Sequence, residues 1–467
     1  MRYILIFFGL FLFQDLTGQE LILKKGVVID SLAVNDSIAE TYALYLPRDF
    51  STQSSWPVIF IFDPHGRGKR ALQLFQNSAE EQGYIIAASN NISSNESLLN
   101  NVRTATRFMD KIFILFKIKD KEIYTAGLGE GARVASVLPT VYPSITGVLL
   151  VGDIWINADY VEKKRNFNLV AMAGYRDHRF SLVNETAMIL GKAGVSSQVY
   201  NYDGGDEWPT ADLINIAVGN FTLGAIQSGL RPGDMGLVNT FYNTEMDRVE
   251  KSLQLMNYYK SYTYLGDMAQ KYSRYGKAQE IKEKMRSLGK ERLYKNQLRQ
   301  YELALEEEAF KREEYLYFFN EDVSSSNFEN LGWWNQQLKE LDKLKETRDP
   351  AKIEVAHRLA GMLKSLAFNT YKTLKEDNAA IDPLVFTAIL QTIFDKENPV
   401  GYFNIISLTA QDGDYYTALL YLEDLLKTGY NDMESLYDIP GTLDLRLSPE
   451  YNDLIRKYLG NSKYYNN

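Results

Sequence analysis

A chain of 467 residues is too long for one ordinary domain and suits two or three; with 45% hydrophobic residues it has ample material for buried cores. Its formal net charge of -9 gains no counterion-release affinity for DNA or RNA, which argues against a nucleic-acid partner. Cysteine is absent, which excludes disulfides, thiolate metal sites and cysteine nucleophiles but not export, since domains of this size need no covalent staples.

Residues 1–19 read as a signal peptide. Arg2 supplies the positive end, Tyr3 to Phe13 form an apolar run, and Asp15 and Thr17-Gly18-Gln19 place polar and small residues where cleavage would fall. The run is shorter than the ~20 residues a bilayer-spanning helix needs. No cysteine follows it, which excludes lipoprotein attachment. The competing reading is an uncleaved anchor or a buried strand. No other stretch approaches transmembrane length. The expectation is an exported protein, periplasmic or associated with an outer membrane.

From about residue 20 to 223 short β-branched runs alternate with helical segments. Val27 to Ile29 and Thr41 to Leu46 suggest an antiparallel entry hairpin. Val58 to Phe62, Tyr84 to Ala88, Glu122 to Ala126, Gly147 to Val151, Leu169 to Ala173 and Gln198 to Tyr202 read as buried strands. Continuous apolar strands imply a sheet covered on both faces, and the alternation implies parallel crossovers, so the expected fold is a doubly wound, mostly parallel α/β sheet. The run from Gly224 to Gly236, with four glycines and a proline, is the expected linker.

Residues 237–467 lose the strand grammar; Tyr, Leu, Lys and Glu recur at helical spacing. Tyr262, Leu265, Gly266, Ala269, Tyr275 and Ala278, and again Tyr402, Ile406, Gly413, Tyr415, Ala418 and Leu422, resemble tetratricopeptide helix pairs, in which small residues sit where two helices cross. Gly429-Tyr430, Leu436, Leu443, Leu445, Pro449 and Tyr451 resemble a closing cap. A generic helical bundle is the alternative. Trp333-Trp334 reads as a packing pair. Asn91-Ile92-Ser93 and Asn95-Glu96-Ser97 match glycosylation sequons by pattern only, and Lys163-Lys164-Arg165 reads as a solvated helix face.

One turn carries chemistry by position. The strand Ile123-Tyr124-Thr125-Ala126 runs into Gly127-Leu128-Gly129-Glu130-Gly131, and Ala132-Arg133-Val134-Ala135 opens a helix. This resembles the Gly-x-Ser-x-Gly elbow of secreted bacterial α/β-hydrolases of esterase type. Phe62-Asp63-Pro64-His65-Gly66-Arg67-Gly68 resembles that family's oxyanion loop, and Ala88-Ser89-Asn90-Asn91 resembles a segment that follows its next strand. The resemblance covers about residues 40–223 and implies an α/β-hydrolase fold, with Gly129 at the nucleophile position, Asp177 at the acid position and Asp206, within Asp203-Gly204-Gly205-Asp206-Glu207-Trp208-Pro209, at the histidine position.

Two of those three positions lack the expected chemistry. Glycine at 129 offers no nucleophile. A carboxyl group at 206, with an ordinary pKa near ~4, cannot shuttle a proton at neutral pH as imidazole does. Glu130 leaves the turn in another direction, and Ser136 lies more than one turn along the helix. The chain has three histidines: His65 in the former oxyanion loop with Gly66, His178 beside the acid position, and His357 in the helical half. None falls in the Ser, Asp, His order of this fold.

The expectation is therefore a non-catalytic pseudo-hydrolase with no metal and no cofactor, whose helical repeats bind protein partners of the cell envelope. Asp63, Glu130, Trp155, Tyr175 and Trp208 are expected to line a remnant crevice of unknown ligand. Three alternatives stand beside this. Asp63, Glu130, Asp177 and Asp206 would converge as an acid–base pair or hard-cation site. The crevice would retain a small ligand. A carboxylesterase-like hydrolase would use an unconventional nucleophile such as Ser136.

Overall fold

The computed structural model describes residues 24–155 and 168–465. The expected signal peptide and the basic run Lys163-Lys164-Arg165 lie outside the described residues. The entry hairpin is formed by β1 (Val28–Asn35) and β2 (Ile38–Tyr45). They join β3 (Trp56–Phe62), β4 (Ile85–Ser89), β5 (Ile118–Leu128), β6 (Ile145–Val151), β7 (Asn168–Gly174) and β8 (Ser196–Tyr202) in one sheet of order β1-β2-β4-β3-β5-β6-β7-β8. β2 is antiparallel to both its neighbours, and all pairings from β4 to β8 are parallel.

The period-two rule explains the continuous apolar strands. Val58, Phe60 and Phe62 enter one core while Ile59 and Ile61 enter the other. Helices α3 (Leu98–Leu115), α4 (Glu130–Val141) and α5 (Phe180–Lys192) cover the first face. The second is covered by α1 (Gly68–Leu74), α2 (Gln76–Gln82) and α6 (Ala211–Gln227). This is the doubly wound sheet expected, with the strand order of an α/β-hydrolase.

The glycine-rich stretch 224–236 is only partly a linker. Helix α6 continues through Gln227 and the next helix begins at Met235, because Gly224 packs against the Asn168 side chain instead of breaking the helix. The short loop that remains is anchored. Arg231 donates to buried Glu122 at 2.5 Å and to the Gln82 carbonyl at 2.6 Å, and lies over the Tyr84 ring.

Beyond it every described regular element is helical: α7 (Met235–Gln254), α8 (Tyr258–Lys271), α9 (Ala278–Leu288), α10 (Arg292–Ser325), α11 (Leu331–Lys345), α12 (Pro350–Glu376), α13 (Ile381–Phe394), α14 (Pro399–Gln411), α15 (Tyr415–Lys427), α16 (Met433–Tyr437), α17 (Leu443–Arg446) and α18 (Pro449–Leu459). The two segments that resemble tetratricopeptide pairs do form helix pairs, α8–α9 and α14–α15, with Ala418 and Leu422 fully buried. Between them α10, α11 and α12 have 34, 15 and 27 residues, so no regular repeat length links the pairs. In the closing segment Leu436, Leu445 and Tyr451 enter the last core, whereas Leu443 is exposed. Trp334 is a packing residue, buried with its indole N–H on Asp322 at 2.8 Å. No described helix is long and apolar enough to cross a membrane.

Cations from the helices dock on the carboxyl ends of β7 and β8. Lys271, paired with Glu245 at 2.5 Å, donates to Tyr200 Oη at 3.0 Å. Arg248 reaches the Asn201 carbonyl, and Lys260 pairs with Asp203 and Glu354. Deepest is Glu308 of α10, held by Arg358 of α12 at 2.5 Å and by Arg312 at 2.8 Å; the same two arginines donate to the carbonyls of Tyr175 and His178. A buried carboxylate in this position is tolerable only because its oxygens are met by fixed donors.

Replacing Arg358 with Leu leaves Glu308 with Arg312 alone, and the expected loss is about 3 kcal/mol of unfolding free energy. Urea denaturation measures it, and E308L/R358L is expected to recover most of the loss. A single variant as stable as wild type would show that the buried pair contributes nothing to stability.

Candidate functional site

The elbow is built from close backbone approach. A Cβ on Gly127 would lie 2.1 Å from the Gly131 carbonyl, and one on Gly131 would lie 2.1 Å from the Phe62 carbonyl, so strand β5, helix α4 and strand β3 can meet only through glycines. Gly129 stands at the apex with φ +52° and ψ -121°, a strained conformation for any residue with a side chain. A Cβ there would nonetheless have room. Its nearest neighbours are Pro64 Cγ at 3.8 Å and the two terminal nitrogens of Arg179 at 3.9 Å.

Arg179 is the residue that sequence reasoning missed. Its guanidinium faces the elbow and gathers three carboxylates: Asp206 at 2.6 Å, Asp153 at 3.1 Å and Asp177 at 3.5 Å. Asp177 and Asp206 are thus joined through a guanidinium. Its only signal in the sequence is its place two residues after Asp177, and arginine belongs to no triad, so nothing marked it.

The carboxylates respond to burial. Asp177 is 1% exposed; burial pushes its carboxyl up to about 6 against the downward pull of Arg179. Burial also raises Asp153, and Arg179 again pulls the other way. For Arg179 itself burial would favour the neutral form, but Asp206, Asp177 and Asp153 outweigh it and raise its pKa further. His178 is driven down to about 4 by burial and by Arg179. Its Nδ1 lies 3.4 Å from Asp177 Oδ1, but a histidine so depressed is neutral at pH 7, so this contact is not an ion pair.

Of the five residues expected to line a crevice, only Glu130 does, paired with Arg133 at 3.1 Å. Asp63 turns inward to brace its own loop, accepting from the His65 amide at 2.9 Å, from Arg67 and from the Trp208 indole at 2.9 Å. Burial would raise its carboxyl, yet these donors hold it below its ordinary value. Trp208 is spent on that bond and on an edge contact with Phe75. Tyr175 is buried under Lys260, whose ammonium lies 4.0 Å from the ring, and belongs to the docking face between the halves. The Trp155 backbone amide donates to Ser136 Oγ of α4 at 3.2 Å, and Trp155 is not in the cavity wall. Asp63, Glu130, Asp177 and Asp206 therefore do not converge on one point. Among the described residues no three His, Asp or Glu side chains form a cation cage.

The loop after β3 is closed on itself. The His65 amide is taken by Asp63 Oδ1, and the Gly66 amide donates to the Asp63 carbonyl at 3.1 Å. Ser136 is buried and donates to the Arg133 carbonyl at 2.8 Å. No described serine hydroxyl hydrogen-bonds to His65 or His178.

A cavity of about 700 Å³ lies over the elbow. One wall is hydrolase-like: His65, Gly129, Glu130, Asp153, His178, Arg179 and Asp206. The other is helical: Gly361, Lys364 and Phe368 of α12 with Gln391, Asp395 and Val400 beyond. Helix α12 reaches this close because Gly361 has no side chain; a Cβ there would sit 3.3 Å from His178 Cβ. Nothing local in the sequence ties these helical residues to the elbow. His357 lies on α12 but not in the cavity wall.

Asp177 and His178 oppose each other in acid. Because Asp177 is raised to about 6, the folded state takes up a proton before the unfolded one, so Asp177 adds stability as pH falls from 6 toward 4. Because His178 is lowered from 6.5 to about 4, the unfolded state protonates first, so His178 subtracts stability over the same window. Replacing His178 with Asn removes only the second effect. Relative to wild type, that variant is expected to gain on the order of 2–3 kcal/mol as pH falls from 6.5 to 4. Denaturation across pH measures it; a difference that stays constant with pH would contradict the assignment.

No family model and no curated protein matches this chain. Solved structures similar to part of it include a ferulic acid esterase, at 15% identity over 42% of this chain and 98% of that one, with a TM-score of 0.35. Est1E from Butyrivibrio proteoclasticus is 15% identical over 43% of this chain and 99% of that one, with a TM-score of 0.35. FphF, a fluorophosphonate-binding serine hydrolase of Staphylococcus aureus, is 12% identical over 42% and 97%, also with a TM-score of 0.35.

Proposed function

We propose that this protein is a non-catalytic, exported relative of the esterase-like α/β-hydrolases, and that it works by binding other proteins of the cell envelope. The observation that carries the reading is the Arg179 guanidinium, which faces a side-chain-free elbow and ties Asp177 to Asp206. A guanidinium keeps its protons at every physiological pH, so it can hold two carboxylates in place but cannot act as the general base of acyl transfer. In this reading the α/β half is a rigid body and the helices supply the contact surface.

A fluorophosphonate probe and a chromogenic short-chain ester test the first half of the proposal. Wild type is expected to show neither labelling nor turnover. Gly129→Ser alone, and G129S/D206H, are expected to stay inactive, because Arg179 still occupies the space in which an imidazole must swing between residues 129 and 177. Only G129S/R179A/D206H is expected to turn over ester. Stoichiometric labelling of a serine in the wild-type protein, with turnover, would overturn the reading in favour of an unconventional esterase. Export is tested by fractionating the native cell and sequencing the mature N-terminus: cleavage near residue 19 is expected, and an intact Met1 in the cytoplasm would contradict it.

A second reading, retention of a small ligand, is favoured by the 700 Å³ cavity roofed by α12. Native mass spectrometry of the purified protein would show such a ligand as a retained mass, absent from a Gly361→Phe variant.

A further inference from the structure

Helix α10 buries one face, through Ala304, Glu308, Tyr315 and Phe319. Opposite that face lie Leu303, Phe310 and Tyr317, which are 50%, 66% and 62% exposed. They recur at i, i+7 and i+14, so they stack at every second turn into a ridge about 21 Å long. A helix that already has a packed face does not need this ridge for folding. Isolated exposed apolar residues are ordinary, but an aligned set on one stripe marks a contact surface.

The flanks of the ridge are acidic. At 100° per residue Glu302, Glu306 and Glu313 line one side, and Glu307, Glu314 and Glu321 line the other. Glu314 is partly compensated by Lys311 at 2.6 Å, and Arg299 sits one turn before Leu303. The arrangement excludes two occupants on charge. A second copy of this chain would bring acidic flanks against acidic flanks in either orientation. An anionic bilayer would be repelled in the same way.

We propose that this ridge is a docking site for a helix of another protein that has an apolar seam at heptad spacing and Lys or Arg on both sides of it. The ridge fills the seam, and the glutamates pair with the flanking cations, as e and g positions do in a coiled coil. The inference rests on the reading of this chain as an interaction protein and names the surface and the chemistry of its partner.

The test uses the full mature chain and a fluorescent peptide of about 28 residues, with Leu at a and d and Lys at e and g. The control peptide carries Glu at e and g. Fluorescence anisotropy is expected to show binding of the Lys peptide that weakens with salt, and none of the Glu peptide. The substitutions F310S/Y317S are expected to weaken binding tenfold or more, and E306K/E313K to shift preference toward the Glu peptide. All four positions are exposed, and circular dichroism with an unfolding curve checks that each variant is folded. Absence of Lys-peptide binding, equal binding of both peptides, or binding unchanged by F310S/Y317S would overturn the proposal. A dimer seen by sedimentation and lost in F310S/Y317S would assign the ridge to a second copy, and flotation with anionic vesicles lost in that variant would assign it to a membrane; either overturns it too. Wild type and F310S/Y317S used as bait in native envelope extract separate the two levels of argument. Identical partner sets would overturn the ridge alone, whereas a wild type that captures nothing would overturn the interaction reading.

Discussion

A buried guanidinium needs anions on every side that water cannot reach, and Arg179 finds them in Asp153, Asp177 and Asp206. These three come from the carboxyl ends of different strands, so the arginine binds together the loops after β6, β7 and β8. The loop that carries it is then clamped from outside, where Arg358 and Arg312 of the helical half hold the carbonyls of Tyr175 and His178. One segment, 175–179, therefore faces the elbow on one side and the helices on the other. The position of α12 over the cavity follows from that clamp.

Backbone geometry demands some of the elbow's glycines more than others. Gly127 and Gly131 are required by contacts near 2 Å to neighbouring carbonyls, and any larger residue would force β3, β5 and α4 apart. No comparable demand falls on residue 129, where a Cβ would meet nothing closer than 3.8 Å. Glycine at 129 accepts the positive φ of the turn without strain. The loop after β3 is held by one of its own side chains. Its fold is maintained by Asp63, which takes up the amide of His65 and the indole of Trp208.

The helical half is better described as a clamp and a surface than as a uniform repeat. Its central helix α10 has two working faces: Arg312, held by Glu308, donates to the His178 carbonyl of the α/β half, and the opposite ridge meets solvent. Apolar contact joins the halves where Leu223 of α6 packs with Val238 and Phe241 of α7, and ion pairs and hydrogen bonds cross elsewhere, from Lys260 to Asp203 and from Arg358 to the Tyr175 carbonyl. Such an interface sets a specific orientation, because each cation must find its own carbonyl or carboxylate, whereas apolar contact alone would tolerate sliding.

The sequence by itself determined the elements whose signals are local. Every expected strand of the sheet is present, because a strand buried on both faces must be apolar at successive positions wherever it lies. The elbow glycines were legible because close backbone contact leaves no other residue. That a glycine stands at 129 and an aspartate at 206 was legible directly from the chain. Tertiary structure decided what surrounds those positions. Whether Asp63 faces a crevice or its own loop depends on Trp208, 145 residues away. Tyr175 was moved from a crevice to an interface by Lys260 and Arg358. Arg179, Gly361 and Phe368 meet at one cavity only after two halves dock. Contacts of that kind are set by the packing of whole elements, and no periodicity along the chain encodes them.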